Sequence, residues 1–259
     1  MKYSVYSCVG QHFPIEDRMA AIKAVGFDCV CLDFEDGTEP TETSWENQLF
    51  LADKYNLTVE NAHLTGYGMN SVWSDCPEGE RVKDRLIDEL RRMSELGVKI
   101  GVAHVTWGLN APERNFELGL RRYREAVEAA EKYGVCLALE NSVFPEYVHH
   151  LLTNLKSPNL GFCYDSGHEN AFTHGENYLE RYSDILIAMH LHDNDGIHDD
   201  HAMPFHGTIC WEEKAEQLKK CTRAREMLTL ECGIGGNTPE EGFGAALAEL
   251  KKLAALMEK

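Results

Sequence analysis

The sequence lacks the features that would assign it to a membrane, secreted or multi-domain class of protein. Its 259 residues contain no apolar run that approaches the length of a membrane-spanning helix. The first residues, MKYSVYSCVGQHF, contain neither a long apolar segment nor a small-residue cleavage site. No linker, low-complexity stretch or close repeat divides the chain. We therefore expect a single cytoplasmic domain over residues 1–259, without a membrane partner.

The cysteines lack the spacing of a zinc knuckle or of a redox CxxC pair. Nine are present, an odd number, and they are scattered through apolar segments. Cys29 and Cys31 are two residues apart, so on a strand they would share one face. We interpret the cysteines as small buried hydrophobic side chains in a reducing compartment.

Basic residues are scarce, with 25 Lys and Arg against 43 Asp and Glu and a net charge of −18. The segments that follow the apolar runs, among them DFEDGTEPTETS, LTGYGMNSVWSDC and SGHENAFTHGEN, contain essentially no Lys or Arg, and Arg114 is the main exception. A DNA-binding groove needs basic side chains that neutralise phosphates, and a bound sugar phosphate usually needs Arg, Lys or a helix N-terminus. We therefore expect no nucleic-acid partner and favour an uncharged carbohydrate as the substrate.

Short apolar segments alternate with longer amphipathic ones along the whole chain, which predicts alternating strands and helices. Three of the amphipathic segments end in a glycine followed by a new apolar run, at Gly26, Gly97 and Gly134, which indicates helix C-termini. The last helix should begin at Thr238 and Pro239. The predicted strands cover residues 3–8, 27–32, 58–62, 100–104, 135–139, 160–164, 185–191 and 227–230.

Eight strands and about eight helices predict an α/β fold, the (β/α)8 TIM barrel. A doubly wound open sheet also alternates strands and helices. Its dinucleotide-binding signal, GxGxxG between the first strand and the first helix, is absent, and the nearest match, GIGGN, follows the eighth strand. The barrel is therefore favoured, and no organic cofactor is expected.

Side chains able to bind metals lie, one or two at a time, at the ends of six successive apolar runs. In a barrel, the carboxyl ends of the strands meet at the face that carries the active site, so these side chains should converge. They are His63, His104, Glu140, Asp165, His168, His192 and Glu231.

Carboxylates combined with an imidazole form a suitable cage for Mn²⁺, Mg²⁺ or Co²⁺, and further histidines favour Zn²⁺ or Fe²⁺. Each residue alone has another interpretation: Asp165 could cap the helix that follows it, and a lone histidine such as His63 is more often a packing residue. The joint occurrence favours metal binding. The predicted ligands of a divalent metal are Glu140, Asp165, His192 and Glu231.

The segment HLHDNDGIHDDHAMPFHGTICW is unusually rich in histidine and aspartate. His190 and His192 would share one strand face, so both could point into the barrel. Other members of the segment are interpreted as solvated loop residues, namely Asp195, His198 and Asp200. The candidates for substrate binding are Trp107, His190 and His206.

The motifs LALEN, CYDSGH, HLHD, HGTICW and LTLE resemble those of the xylose isomerase-like TIM barrel superfamily, which includes sugar isomerases and epimerases, inosose dehydratases and endonuclease IV. The resemblance extends over nearly the full chain. The resemblance to the sugar epimerases implies that one divalent metal is bound by Glu140, Asp165, His192 and Glu231. It also implies that Glu140 and Glu231 act as the acid and base on opposite faces of the substrate, and that His168 lies near the substrate hydroxyls.

The chain also resembles endonuclease IV in its full set of metal-ligand types. The three-zinc site of that enzyme implies a set of His63, His104, Glu140, Asp165, His168, His192, Asp199, His201 and Glu231. Members of the isomerase branch can keep several of these histidines, so the reaction stays open. The residues outside the single-metal set that would bind further metals or the substrate are His63, His104, Asp199 and His201.

We expect a divalent-metal-dependent isomerase or epimerase that acts on a free sugar or a polyol-derived ketone through an enediolate, with two metal-bound glutamates as acid and base. A dehydratase of a keto-inositol or of a dehydroshikimate-like acid would share the first proton abstraction. A zinc-dependent phosphodiesterase similar to endonuclease IV is the second alternative, and a non-catalytic sugar-binding barrel is the third. Because barrels often dimerise, a homo-oligomer is compatible with the sequence.

Overall fold

Eight parallel β-strands form a barrel in the computed structural model, which describes residues 1–34 and 43–259. The strands are β1 Lys2–Tyr6, β2 Cys29–Phe34, β3 Thr58–Leu64, β4 Ile100–His104, β5 Cys136–Glu140, β6 Leu160–Asp165, β7 Leu186–His190 and β8 Met227–Leu230. Each of β1 to β6 pairs in parallel with the next strand, and β1 also pairs with β8. A parallel bridge between Leu191 and Leu230 closes the barrel between β7 and β8. The predicted (β/α)8 TIM barrel is confirmed.

The helices in the described residues are α1 Ile15–Val25, α2 Trp45–Lys54, α3 Pro77–Leu96, α4 Phe116–Tyr133, α5 Pro145–Asn154, α6 Ser166–Phe172, α7 Tyr178–Tyr182, α8 Trp211–Leu218, α9 Thr222–Glu226 and α10 Pro239–Met257. They exceed the predicted number because β6 and β7 are each followed by two helices. None of the helices in this part of the chain combines the length and the apolar character that crossing a membrane requires. Most of the acidic stretch DFEDGTEPTETS lies outside the described residues.

The helix ends follow the sequence signals. Gly26, Gly97 and Gly134 adopt left-handed φ angles of 107°, 80° and 65°, and their amides bond to carbonyls of the last helical turn. The Thr238 hydroxyl accepts a hydrogen bond from the Glu241 amide over 3.3 Å at the start of α10, as predicted. These sharp ends lead the chain from α1, α3 and α4 directly into β2, β4 and β5.

Small side chains fill a layer inside the barrel. Val102, Ala138, Cys163 and Ala188, from β4 to β7, are fully buried and pack together. Because side chains alternate along a strand, the residue two positions later points to the same side of the sheet. On these four strands those residues are His104, Glu140, Asp165 and His190. The apolar layer therefore forms a base on which polar side chains stand at the carboxyl ends of the strands.

The cysteines form no disulfide, and all nine are free. Five of them are fully enclosed, namely Cys29, Cys31, Cys163, Cys221 and Cys232, whereas Cys210 is exposed. The interpretation of the cysteines as small buried side chains thus describes the majority of them.

The strand β3 contains one extra residue relative to β2. The pairing register shifts between Val30 and Leu32, where β3 advances by three residues while β2 advances by two. As a result, Glu60 and His63 both face the barrel interior although they are three positions apart. Glu60 accepts a hydrogen bond from the Thr229 hydroxyl of β8 over 2.7 Å, and His63 faces the glutamate at the end of β5. The bulge therefore directs His63 toward the carboxyl end of the barrel.

A buried arginine anchors the loop between β3 and α3. The Arg122 guanidinium, on α4, is 1% exposed and donates to the carbonyls of Val72 and Ser74, each over 2.8 Å. The same loop carries Asn70, whose side chain accepts from the Trp107 amide over 2.7 Å and donates to the Trp107 carbonyl over 2.8 Å. Arg122 therefore supports the loop that holds Trp107 in place after β4.

We expect Arg122→Met to lower the free energy of unfolding by about 3 kcal/mol, because the loop carbonyls would lose a buried charged donor. Arg121→Met is the matched control, since its side chain is 58% exposed on the same helix. The control should change the free energy of unfolding by less than about 0.5 kcal/mol. Urea denaturation followed by circular dichroism measures both, and equal midpoints for the two variants would contradict the anchoring role.

Candidate metal and substrate site

A cavity of about 280 Å³, here called the central cavity, opens at the carboxyl ends of the strands. Its lining consists of Tyr6, Cys8, Gln11, Asp33, His63, His104, Trp107, Glu140, His168, Asp199, His201 and Glu231. Five of the seven strand-end residues are in this lining, and the other two, Asp165 and His192, are fully buried. The structure thus brings the strand-end side chains to one end of the barrel, as the topology requires.

Three carboxylates meet at the floor of the central cavity. Glu140, Asp165 and Glu231, from the ends of β5, β6 and β8, place ligand atoms within 4.8 Å of one another and of a nitrogen of His190. The His190 Nδ1 lies 2.9 Å from a Glu231 oxygen and 3.4 Å from a Glu140 oxygen. Three of the four predicted ligands are therefore gathered around the imidazole of His190.

His192, the fourth predicted ligand, contacts Asp165 and belongs to a second group. Its Nε2 lies 3.1 Å from both Asp165 oxygens and 3.8 Å from an Asp199 oxygen. Its ring stacks on the ring of His201, with the centroids 4.0 Å apart. His192, Asp199 and His201 place ligand atoms within 4.8 Å of one another. Asp165 is therefore the link between this group and the three carboxylates.

His63, His104 and Glu140 form a third group. The Nε2 atoms of the two histidines lie 3.3 and 3.4 Å from the same Glu140 oxygen. The His168 Nδ1 lies 3.3 Å from the other Glu140 oxygen, and its Nε2 lies 3.3 Å from an Asp199 oxygen. Glu140 and His168 thereby connect the groups. All nine residues of the set implied by the three-zinc resemblance lie in one continuous cluster.

Backbone carbonyls set the tautomers of three histidines. The Nδ1–H groups of His63, His168 and His201 each donate to a backbone carbonyl, over 2.9, 2.8 and 2.8 Å respectively. When such an imidazole is neutral, its Nε2 carries a lone pair. In His63 that lone pair faces a Glu140 oxygen at 3.3 Å, so only a proton or a metal cation between the two atoms makes the contact favourable. The donor set therefore fits a divalent metal.

Two local backbone features bring the rings of the second group together. A side chain at Gly167 is excluded, because a Cβ at this position would lie 1.9 Å from Cε1 of His192. His201 adopts a left-handed φ of 48°, which is unfavourable for a residue with a side chain. Such strain is typical of functional sites. Both features lie directly beside the stacked rings of His192 and His201.

Asp165 has two structural roles. One of its oxygens accepts a hydrogen bond from the His168 amide over 2.6 Å and so caps α6, and the same carboxylate faces His192. The cap and the metal ligand, which the sequence left as alternatives, are therefore compatible. The Asn141 side chain exchanges two hydrogen bonds of 2.8 Å with the Asp165 backbone. Asn141 was missed by the sequence reasoning, although it directly follows Glu140 in the motif LALEN.

The protonation of the cluster follows its charges. Burial disfavours a charged imidazole, but Asp199 and Glu231 raise the pKa of His201 to about 10. Burial lowers the pKa of His104 to about 4, so this ring is neutral at pH 7. Burial alone would raise the pKa of Glu231, but His190 and His201 lower it to about 2. At pH 7 Glu231 is thus ionised, and His201 beside it is protonated.

The three candidate substrate-binding residues have different positions. Trp107 lines the central cavity, and its ring centroid is 5.2 Å from that of His104. His190 is fully buried beneath the carboxylates and is not part of the cavity lining. His206 also lies outside this lining, because the loop after β7 carries it to α10, where its Nε2 is 3.5 Å from a Glu249 oxygen.

The ends of β1 and β2 contribute a set of lining residues that the sequence reasoning missed, namely Tyr6, Cys8, Gln11 and Asp33. The rule that strand ends converge on the active face applies equally to β1 and β2, so it could have identified these residues. Asp193 was missed as well. It is fully buried and accepts a hydrogen bond from the Trp211 indole over 2.7 Å, and two further amides of the loop after β7 also donate to it. Asp193 therefore shapes the loop that carries Asp199 and His201.

The central cavity has a negative electrostatic character. Among the described residues, none that lines this cavity is Lys or Arg. Arg114, the exception noted in the sequence, has a side chain that is 73% exposed and pairs with Glu146 over 2.8 Å. A cavity of this kind concentrates cations and repels phosphates.

Comparisons with known proteins agree with this fold. A family model described as xylose isomerase-like TIM barrel matches residues 19–253. The uncharacterized protein MJ1311 of Methanocaldococcus jannaschii is 34% identical over 107 residues, which are 37% of this chain and only 36% of that protein. The structure of a D-tagatose 3-epimerase-like protein has a TM-score of 0.77 at 23% identity, over 100% of this chain and 97% of that one. The structure of the IolI protein with a zinc atom has a TM-score of 0.78 at 18% identity, over 98% of both chains.

We expect Gly167→Ala to weaken metal binding, because the added methyl group would occupy the position of the His192 ring. The loss of affinity should be on the order of tenfold or more, as for other changes that displace a metal ligand. Gly235→Ala is the matched control, since a Cβ there meets no atom within 4 Å. Calorimetric titration of chelator-treated protein with Zn²⁺ and Mn²⁺ measures the affinities. Wild-type affinity in Gly167→Ala would exclude His192 as a required ligand.

A metal bound by His192, Asp199 and His201 should release at least one proton per chain at pH 7, because His201, with a pKa of about 10, must lose its proton when the metal occupies its Nε2. As the pH falls, protons compete more strongly, so the affinity should fall about tenfold per pH unit for each proton released. Calorimetry in two buffers of different ionisation enthalpy counts these protons. A count of zero would exclude His201 as a metal ligand.

Proposed function

Because this chain belongs to the xylose isomerase-like TIM barrel family, we propose that it is a divalent-metal-dependent isomerase or epimerase of an uncharged sugar or polyol-derived ketone. The observation that carries the proposal is the group of Glu140, Asp165 and Glu231 at the floor of a cavity whose described lining contains no Lys or Arg. Such a group is suited to hold a divalent metal and to transfer protons. The shared fold with a D-tagatose 3-epimerase-like protein supports this reaction class.

The substrate class follows from the size and charge of the central cavity. Its volume of about 280 Å³ is near the lower end for ligand cavities, which suits one small sugar unit. Asp33 and Asp199 are in the lining together with the glutamates, so a phosphate or carboxylate group would be repelled. Uncharged hydroxyl groups, by contrast, can donate hydrogen bonds to these carboxylates.

The metal ligands in this proposal are Glu140, Asp165, His192 and Glu231. A bound divalent metal would polarise the substrate carbonyl and increase the acidity of the neighbouring C–H group. The chain itself orients the ligands: Asn141 and the start of α6 hold Asp165, and Gly167 leaves room for the His192 ring. The residues proposed to bind hydroxyl groups or further metals are His63, His104, Asp199 and His201.

Glu140 and Glu231 are the proposed acid and base. Burial would raise the pKa of both, but the histidines beside them lower it, so both carboxylates are ionised at pH 7. One accepts the proton from the carbon beside the carbonyl, and the substrate becomes an enediolate. The other glutamate becomes the acid by taking a proton from His190, whose Nδ1 lies 2.9 Å from a Glu231 oxygen and 3.4 Å from a Glu140 oxygen. Return of that proton to the opposite face of the same carbon is epimerisation, and return of a proton to the neighbouring carbon is isomerisation. His168, between Glu140 and Asp199, would bind a substrate hydroxyl.

A second candidate function is that of a zinc-dependent phosphodiesterase. It is favoured by one observation, the assembly of two further groups of ligand atoms, His63 with His104 and Glu140, and His192 with Asp199 and His201. The absence of Lys and Arg from the described cavity lining argues against a nucleic-acid substrate. Elemental analysis together with an abasic-site oligonucleotide distinguishes the two functions, since three zincs per chain and strand cleavage are expected only of the phosphodiesterase.

We expect Glu140→Gln and Glu231→Gln to slow catalysis by about 10² to 10⁴, the usual contribution of a general acid or base. The measurement is exchange of substrate C–H for deuterium in D₂O, followed by NMR with a panel of free ketoses. Glu212→Gln, in the first turn of α8, is the control and should retain wild-type exchange. The metal content of each variant is measured in parallel, so that loss of the base is separated from loss of the metal.

Wild-type exchange in metal-loaded Glu140→Gln would show that Glu140 is not the base for this step. The mass of the product tests the reaction class in the same samples. An epimer or isomer has the mass of the substrate, whereas a product lighter by one water would replace this proposal with dehydration.

A further inference from the structure

A second cavity, of about 410 Å³, opens beside the central cavity, and we call it the side cavity. The two share the side chains of His104, Trp107, His168 and Asp199 in their linings. A molecule bound in the central cavity could therefore extend into the side cavity without leaving the protein surface. The side cavity is also the larger of the two, so a single small sugar unit would leave it unfilled.

The lining of the side cavity is mostly apolar, in contrast to that of the central cavity. Leu109, Val143, Phe172 and Ile197 belong to it, together with the ring of Trp107. They come from the segments that follow β4, β5, β6 and β7. These side chains offer no hydrogen bonds, so a hydroxyl-bearing chain would lose its contacts with water here without replacing them.

The polar side chains of the side cavity are largely engaged with one another. The hydroxyls of Thr106 and Ser142 are buried and form a hydrogen bond of 2.8 Å with each other. The His198 Nδ1 lies 2.8 Å from an Asp195 oxygen. The described lining contains no Lys or Arg that could neutralise an anionic group. The side cavity therefore suits an uncharged apolar group.

Exposed apolar side chains are concentrated at this place. Leu109 is 72% exposed, Ile197 67% and Trp107 39%, and all three line the side cavity. Scattered apolar residues are normal on a protein surface. A cluster that borders a reaction cavity is typical of a ligand-binding surface, because bound ligand removes it from water.

We propose that the substrate has two parts, a polyhydroxylated head with a carbonyl group in the central cavity and an uncharged aromatic or alkyl substituent in the side cavity. The identity of the head rests on the proposed isomerase or epimerase function, whereas the substituent rests on the side cavity alone. Burial of a phenyl-sized group against Leu109 and Ile197 increases affinity on the order of tenfold to a hundredfold. The substrate is then a substituted sugar and not a free one.

The test uses D-tagatose and its 6-O-benzyl ether as a matched pair of probes with metal-loaded protein. Calorimetry gives the dissociation constants, and deuterium exchange in D₂O gives kcat/KM. The wild type should prefer the benzyl ether at least tenfold. The double variant Leu109→Ser/Ile197→Ser should lose most of this preference while its constants for D-tagatose stay unchanged. Both residues are highly exposed, so the fold is not at risk. Phe50→Ser, at an exposed position on α2, is the matched control and should keep the preference.

The outcomes separate the two proposals. If the benzyl ether binds preferentially but neither probe exchanges, the inference about the side cavity stands and the proposed reaction is wrong. Exchange with equal constants for both probes would keep the reaction and overturn the two-part substrate. The third outcome is that the wild type has equal constants for both probes and is a dimer, whereas the double variant is a monomer. A second copy of the chain would then cover the side cavity, which also overturns the inference.

Discussion

The structure depends on a group of buried carboxylates that are paired with histidines and with no Lys or Arg among the described residues. Glu140, Asp165, Asp199 and Glu231 meet at one end of the barrel, and the described cavity lining around them contains no Lys or Arg. Buried carboxylates are costly unless a proton or a cation offsets their charge. Backbone carbonyls orient the imidazoles toward these carboxylates. The cap of α6 fixes Asp165, and the glycine at position 167 leaves room for the His192 ring. The local structure and the proposed chemistry thus both depend on offsetting the charge of buried carboxylates.

The barrel could be predicted because buried parallel strands are continuous apolar runs and because glycines mark the helix ends. The bulge in β3 could not. It depends on the pairing of β3 with β2, which is a tertiary contact, and a strict alternation of side chains would place Glu60 and His63 on opposite faces. The extra short helices after β6 and β7 were also missed, since they are too short to show a helical period.

The membership of the site was more predictable than its internal arrangement. In a barrel the carboxyl ends of all strands lie close together, so a residue at a strand end is predicted to lie at the site. This is why the residues from β3 to β8 could be identified. The pairing of imidazoles with carboxylates depends on ring orientations and loop paths that no spacing encodes. His190 and His192 share a strand face, and yet only His190 lies among the three carboxylates. His206, from the same segment, lies beside Glu249 on α10.

The left-handed backbone of His201 has a consequence for protein engineering. Glycine at this position would relieve a conformational cost of about 1 kcal/mol. It would also delete the imidazole that stacks on His192. The same change would leave the Asp199 carboxylate without the imidazole that offsets its charge, so the relief of backbone strain at this position does not make the chain more resistant to heat.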